Sequence, residues 1–289
     1  MNVDNAIIMA AGLSSRFAPL SYETPKGLIE VKNEVLIERQ VNQLHSAGIN
    51  EIYVITGYMA EKFQYLVDKL SVKLIHNPFY NTRNNNSSIW VARNILNNTY
   101  ICSADNYFTI NPFLKASDSS YYSGIFSQGY TKEWCMHENQ QGYIDKVTIG
   151  GKSAWFMLGH AFWDSDFSHN FLKILSVEYP MPKTYGKLWE HIFIEHLDVL
   201  KMKIMKYGST DIFEFDTLDE LREFDASYLN DSHSSILKEI SKDLKVAEYE
   251  LANFIPFQGN CTSTGGFEFI CKEHKYRYCY DSKNLSLIK

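Results

Sequence analysis

The run Ala6-Ile7-Ile8-Met9-Ala10 limits the fold more than any other stretch of this chain. Five apolar residues in a row are too few for a buried helix and have no polar face. They read as a strand covered on both sides, the kind found inside a parallel sheet. The downstream residues alternate between helical and strand-like patterns. Residues 35–48 carry Leu36, Ile37, Val41 and Leu44 at helical spacing, and Gly48 can close that helix. Strands are expected at 51–56, 72–76 and 100–104, with helices at 60–70 and 87–96 between them. Strands alternating with helices predict an α/β fold with a doubly wound, mostly parallel sheet. Ligands of such sheets lie beyond the carboxyl ends of the strands, so the turns at Ala11, Gly57 and Asp105 are expected to share a crevice.

The second half changes character. Residues 121–126, 133–137, 143–149 and 154–164 read as β-segments, 166–175 and 185–197 as helices, and 203–207 and 212–215 as strands. This predicts an α+β extension that closes over the crevice. The pattern restarts after about Tyr228, with helices at 234–244 and 245–255 and a hairpin within 259–280, its strands at 266–271 and 276–280. Two domains are therefore expected, 1–228 and a small module, 229–289. A chain of 289 residues with 45% hydrophobic residues can bury both.

Composition excludes several classes. The net charge is −6 with no basic block, which argues against nucleic acid. No apolar run approaches the ~20 residues of a membrane span, and the first five residues are too polar for a secretory signal. Cys102, Cys135, Cys261, Cys271 and Cys279 form no C-x-x-C pair, so free thiols in a cytoplasmic protein are expected.

The chemistry is concentrated in Ala10-Ala11-Gly12-Leu13-Ser14-Ser15-Arg16-Phe17 and the later Pro25-Lys26. A glycine just past a strand lets backbone N–H groups approach phosphate oxygens. Arg16 can grip phosphates with a bidentate fork, and Lys26 can place a charge on an α-phosphate. A plain turn with a surface Arg and Lys is the competing reading, but the whole combination is rare. Asp105 ends a strand, where a hard cation such as Mg²⁺ would find carboxylate oxygen. Asn84, Asn85, Asn86, Ser87 and Ser88 precede a helix and offer the donors and acceptors that reading a pyrimidine edge requires. One of them caps the helix in any case. Gly57-Tyr58, at another strand end, can line the base. Nine histidines show no H-E-x-x-H or H-x-H spacing, and His160, His191 and His196 read as structural.

These residues resemble the nucleotidyltransferase superfamily that includes sugar-phosphate nucleotidyltransferases, whose signature is G-x-G-[ST]-R followed by P-K. Gly12, Ser15, Arg16, Pro25 and Lys26 keep it; Ser14 stands where the family usually has a second Gly. Within that superfamily the chain is most similar, from about Ala6 to Asp225, to bacterial choline-phosphate cytidylyltransferases. The matches are Ala104-Asp105-Asn106-Tyr107, Asn84-Asn85 with Ser88, Glu133-Trp134, Phe162-Trp163-Asp164 and Trp189-Glu190.

The resemblance implies a Rossmann-like nucleotidyltransferase fold. It also implies a reaction joining CTP and phosphocholine to give CDP-choline and pyrophosphate, with Mg²⁺ held by Asp105 and Asp216. Asp216, in Phe215-Asp216-Thr217-Leu218, also reads as a helix N-cap. The expected nucleotide contacts are Ala11, Gly12, Leu13, Ser15, Arg16, Gly57, Tyr58, Asn85, Ser88 and Ala104, with Lys26 and Arg16 catalytic. A quaternary ammonium is best held by aromatic faces and a carboxylate, which nominates Tyr107, Trp134, Trp163 and Trp189 as walls and Glu190 as the anion. Taken singly, each Trp is more often core, and Trp90 and Trp155 are assigned to packing. The alternatives are transfer to phosphoethanolamine or 2-aminoethylphosphonate, transfer to a sugar 1-phosphate, or a catalytically silent nucleotide-binding scaffold. Gly259-Asn260-Cys261-Thr262-Ser263 and Tyr276-Arg277-Tyr278 weakly resemble the first lobe of a choline-kinase-like domain, but no catalytic lobe follows. A piece of a fusion, a surface for self-association and a simple cap remain open for this module.

Overall fold

The computed structural model describes residues 1–258 and 264–288. The chain divides into two compact units, Met1–Gly12 with Val35–Glu214, and Leu13–Glu34 with Phe215–Lys289. Neither follows the linear division at residue 228.

The first unit is built on a seven-stranded sheet. In spatial order its strands are Lys203–Tyr207, Tyr121–Glu138, Ile144–Trp163, Thr99–Ser103, Asn5–Ala10, Ile52–Thr56 and Lys73–His76. The expected apolar strand is the hub, with Ile8 in parallel register with Val54 on one side and Cys102 on the other. Ile7 and Ile8 are fully buried, as a strand covered on both faces requires. Every pairing is parallel except those of Ile144–Trp163, which runs antiparallel to both neighbours. The doubly wound, mostly parallel α/β architecture is therefore present. Helix Leu36–Ser46 buries Leu36, Ile37, Gln40, Val41 and Leu44, and Gly48 ends it with φ +81°, a conformation that favours glycine.

Three expectations for this unit need correction. The four β-segments between 121 and 164 are two long strands forming one irregular hairpin. The polar stretches near Gln128 and Gly150 look like breaks in sequence. They pair with each other across the hairpin, Tyr130 with Lys152 and Thr131 with Gly151, at shifts of register. The helix expected at 60–70 is split into a 3-10 turn, Ala60–Phe63, and a short helix, Tyr65–Leu70. Those expected at 87–96 and 185–197 shorten to Asn86–Val91 and Trp189–Glu195.

The second unit contains helices Leu218–Phe224 and Ser235–Leu244 and a four-stranded antiparallel sheet. Its strands, Leu251–Gln258, Thr264–Cys271, His274–Cys279 and Asn284–Ile288, lie in sequence order. The helix expected at 245–255 is instead a 3-10 turn, Glu248–Glu250, leading into a strand. Lys245 ends the preceding helix at φ +56°, and Phe254 packs against Phe267 and Phe269. The expected hairpin strands are two of four, and the Gly259 to Ser263 turn lies outside the described residues. Residue 228 is no boundary because buried Arg222 donates to the carbonyls of Tyr228, Glu248 and Leu251.

Leu44 is fully buried against the sheet. Leu44→Ala should lower stability by ~2–5 kcal/mol through lost burial and the cavity left behind, read as a lower urea midpoint with an unchanged slope.

Candidate active site

In the first unit the strand ends that follow Ala10, Thr56 and Ser103 are joined directly. Tyr58 N–H donates to Ala11 O at 3.1 Å, and Ala104 N–H donates to Met9 O at 3.1 Å. A Cβ on Gly57 would lie 2.8 Å from Ala11 O and 2.6 Å from Tyr80 Cβ, so the turn admits only glycine without displacement. A Cβ on Gly12 would meet nothing within 4 Å, which leaves open space beside that backbone. Asp105 occupies the turn between Thr99–Ser103 and Asn106–Phe108. Gln40, which sequence reasoning missed, secures this turn: its buried amide donates to Ser103 O and Asn106 O at 2.8 and 3.2 Å. A buried Gln on an otherwise apolar helix face was the available signal.

The polar cluster at 84–88 divides its duties. Ser88 is buried and accepts from Asn77 Nδ2 at 3.3 Å, as Ser87 does at 2.9 Å. Asn86 Nδ2 donates to Thr184 O and Lys187 O. The contacts of Asn85, expected on the base, run elsewhere. Its Oδ1 accepts from Trp189 N at 2.7 Å, and its Nδ2 donates to Glu190 Oε2 at 3.1 Å.

Glu190 is the most unusual carboxyl here. Tyr122 Oη donates to its other oxygen at 3.4 Å, and Tyr122 stacks on Trp189 with ring centroids 5.6 Å apart. Burial pushes the Glu190 carboxyl up to about 7, opposed only in part by the Asn85 and Tyr122 hydrogen bonds. Tyr122 was missed by sequence reasoning, because nothing in a strand's spacing says which tyrosine reaches a carboxylate on a distant helix. Trp134 is partly buried and sits edge-on to His191 at 4.8 Å. Trp163 and Trp189 are fully buried, with Trp163 packed on Phe167, Phe171 and Trp189. Tyr107 already faces a cation, the Arg39 guanidinium 4.7 Å from its ring centre.

In the second unit the pieces of the phosphate motif meet. Ser15–Phe17 and Lys26–Leu28 are single 3-10 turns, the second entered from Pro25 in extended geometry. Arg16 Nη1 donates to Asp216 Oδ2 at 2.6 Å, and Lys26 Nζ lies 3.7 Å from Asp216 Oδ1. Lys26 is only 6% exposed, while the Arg16 side chain is 73% exposed. Two cations thus converge on one carboxylate, one anchored in the interior and one reaching it from the surface. Asp216 is not the N-cap of helix Leu218–Phe224. Thr217 holds that place in a capping box with Glu220, so the Asp216 side chain remains available for charge. The arrangement can exchange a carboxylate for phosphate oxygens, and its oxygen donors suit a hard cation.

Ser14 takes the left-handed conformation, φ 48° and ψ 44°. That is the backbone a glycine adopts freely and an L-residue adopts at a cost of ~1–2 kcal/mol. The family's usual glycine at this position matches the geometry better than the serine does. Ser14→Gly should leave stability equal or raise it by up to ~1 kcal/mol, and Ser14→Val should lower it by at least as much. Urea unfolding of the two variants measures the difference.

Residues 6–118 match the family model described as a MobA-like NTP transferase domain. The chain is 34% identical over 222 residues to the choline-phosphate cytidylyltransferase of Haemophilus influenzae, spanning 75% of this chain and 94% of that one. It is 33% identical over 230 residues to the 2-aminoethylphosphonate cytidylyltransferase of Lancefieldella rimae, spanning 78% and 93%. The solved structure of CTP:phosphocholine cytidylyltransferase from Streptococcus pneumoniae matches with a TM-score of 0.74 at 30% identity, over 77% of this chain and 97% of that one. The chain is a nucleotidyltransferase and belongs to the family that holds the choline-phosphate cytidylyltransferases.

Proposed function

We propose that the enzyme joins CTP and phosphocholine to give CDP-choline and pyrophosphate. The observation that carries the acceptor assignment is Glu190. A carboxyl set beside stacked aromatic rings and held by an amide and a phenol is costly to ionise alone. A trimethylammonium group would remove that cost, since it needs a counter-charge and aromatic surroundings but no hydrogen-bond acceptor. Tyr122 and Trp134 are the rings with which the acceptor would make contact. Trp163 and Trp189 support them from the core, and Tyr107 remains a candidate wall.

The reaction asks for positioning and charge neutralisation more than covalent help from the protein. The acceptor phosphate attacks the α-phosphorus in line, and pyrophosphate leaves. Arg16, together with the backbone of residues 11–15, holds the triphosphate. Lys26 neutralises the α-phosphate as negative charge builds. Gly57, Tyr58 and Ala104 face the nucleoside, and Ser88 acts beneath them through its bond to Asn77. The contacts of Asn85 favour work on the acceptor side. Asp216 and Asp105 are the proposed ligands of Mg²⁺, which when bound would neutralise phosphate charge.

A second reading, transfer to 2-aminoethylphosphonate, is favoured by the likeness to the Lancefieldella relative. Pyrophosphate release from CTP with phosphocholine, phosphoethanolamine, 2-aminoethylphosphonate and a sugar 1-phosphate separates these readings. The highest kcat/KM should fall to phosphocholine. A preference for the phosphonate would install the second reading, and no turnover with any acceptor would leave a nucleotide-binding scaffold.

Two further outcomes are expected. Lys26→Ala should lower kcat by ~10²-fold or more, because its charge acts on the transition state; unchanged turnover would remove it from that role. The Glu190 carboxyl is raised, so it is neutral below about 7 and ionised above. Without a cation its stabilising contribution is fully present below the ordinary carboxylate range and is lost as pH rises through about 7. Acceptor binding has the opposite sign. KM for phosphocholine should rise as pH falls below about 7 in the native enzyme more steeply than in Glu190→Gln, the acceptor's own titration being common to both.

A further inference from the structure

We propose that the C-terminal module braces the segment carrying Arg16 and Lys26, with Glu23 as the positioning residue through which it acts. The proposal rests on the assignment of those two cations to the triphosphate. Residues 13–34 have no long helix or strand to hold their own shape, only the short turns Ser15–Phe17, Leu20–Glu23 and Lys26–Leu28 and the two-residue strand Glu30–Val31. Loops of this kind take their position from what grips them. Here the grip comes from the C-terminal part of the same unit, at five places.

Strand Leu251–Gln258 packs against the turn that carries Arg16. The ring of Tyr22 stacks on that of Tyr280, centroids 3.7 Å apart and planes within 3°. Tyr228 Oη donates to Glu30 O at 2.5 Å, and Lys32 N–H donates to Asp225 Oδ2 at 2.7 Å. The fifth contact is the strongest in kind. Glu23, three residues before Lys26, accepts from Ser234 Oγ, from Ser235 Oγ, and from Ser235 N–H at 2.9 Å. Ser234 is the N-cap of the ten-residue helix Ser235–Leu244, its side chain accepting from Leu237 N. The Glu23 carboxylate therefore meets two hydroxyls, a backbone N–H and the positive end of a helix dipole.

The Streptococcus pneumoniae choline-phosphate cytidylyltransferase is matched over 99% of its length by 227 residues, which span 78% of this chain. The remainder of this chain lies outside that match.

Steady-state kinetics of the full chain tests this, with KM for CTP and for the acceptor measured separately. Glu23→Ala and Tyr280→Ala should each raise KM for CTP about tenfold or more and lower kcat, as expected when a charged group is displaced by about an ångström. KM for the acceptor should stay near its native value, because Glu190 and Tyr122 belong to the other unit. Ser235→Thr keeps the hydroxyl and Tyr280→Phe keeps the stacked ring, so both should retain native KM for CTP. A merely structural module would give a different signature, a fall in kcat matching the loss of folded protein with both KM values unchanged. That result, or native kinetics in Glu23→Ala, overturns the proposal. Lys26→Ala in the same assay separates the two levels. If it turns over like the native enzyme, the phosphate assignment fails, and the brace with it. If it is crippled while Glu23→Ala is native, only the brace fails.

Discussion

The ion cluster of Lys26, Asp216 and Arg16 is the constraint on which the second unit depends. An ammonium that is 6% exposed must have a counter-charge, and Asp216 supplies one 3.7 Å away. Burying charge is expensive unless geometry is held closely, so the surrounding chain is arranged to hold it. Pro25 enters the Lys26 turn with a restricted backbone, Thr217 takes over the helix cap so that the Asp216 carboxylate stays available, and Arg222 ties the helix after Asp216 to the sheet beyond. One carboxylate faces two cations, an arrangement to which the phosphate oxygens of a nucleotide are chemically suited.

The first unit handles charge in the reverse manner. Glu190 is a carboxyl with no cation beside it among the described residues, placed where ionisation costs most and where an amide and a phenol give only partial relief. A buried cation held against an anion, and a raised acid with no cation beside it among the described residues, are complementary demands. They suit two substrates, one carrying phosphates and the other a fixed positive charge. The buried His160, held neutral by burial with its pKa lowered to about 3, shows that burial alone does not mark a site. Glu190 is distinguished by the combination of a costly charge, aromatic neighbours and hydrogen-bond donors aimed at it.

Much of this was legible in the chain. Apolar runs without alternation identified the parallel strands, because burial on both faces leaves no polar positions. The AAG-x-x-S-R and P-K residues pointed to the nucleotidyltransferase family, because few other uses require them together. The rest was hidden for definite reasons. The long hairpin looked like four strands, because paired irregularities on facing strands read individually as breaks. The strand at Leu251–Gln258 looked helical, because Lys245 ends the helix in a left-handed conformation that lysine rarely signals. The link from Asn85 to Glu190 was not visible, because it spans 105 residues of sequence. Ser14 was visible as irregular, but its backbone proved left-handed, where a negative φ would have suited a serine.

Transfer of a nucleotide's α-phosphate to a cationic acceptor can be followed atom by atom. The full chain is incubated with phosphocholine and with CTP labelled at the α-phosphorus. Label is expected in CDP-choline, with unlabelled pyrophosphate released, and only when both substrates are present. Label remaining in CTP, or appearing as CMP without an acceptor adduct, would contradict the transfer.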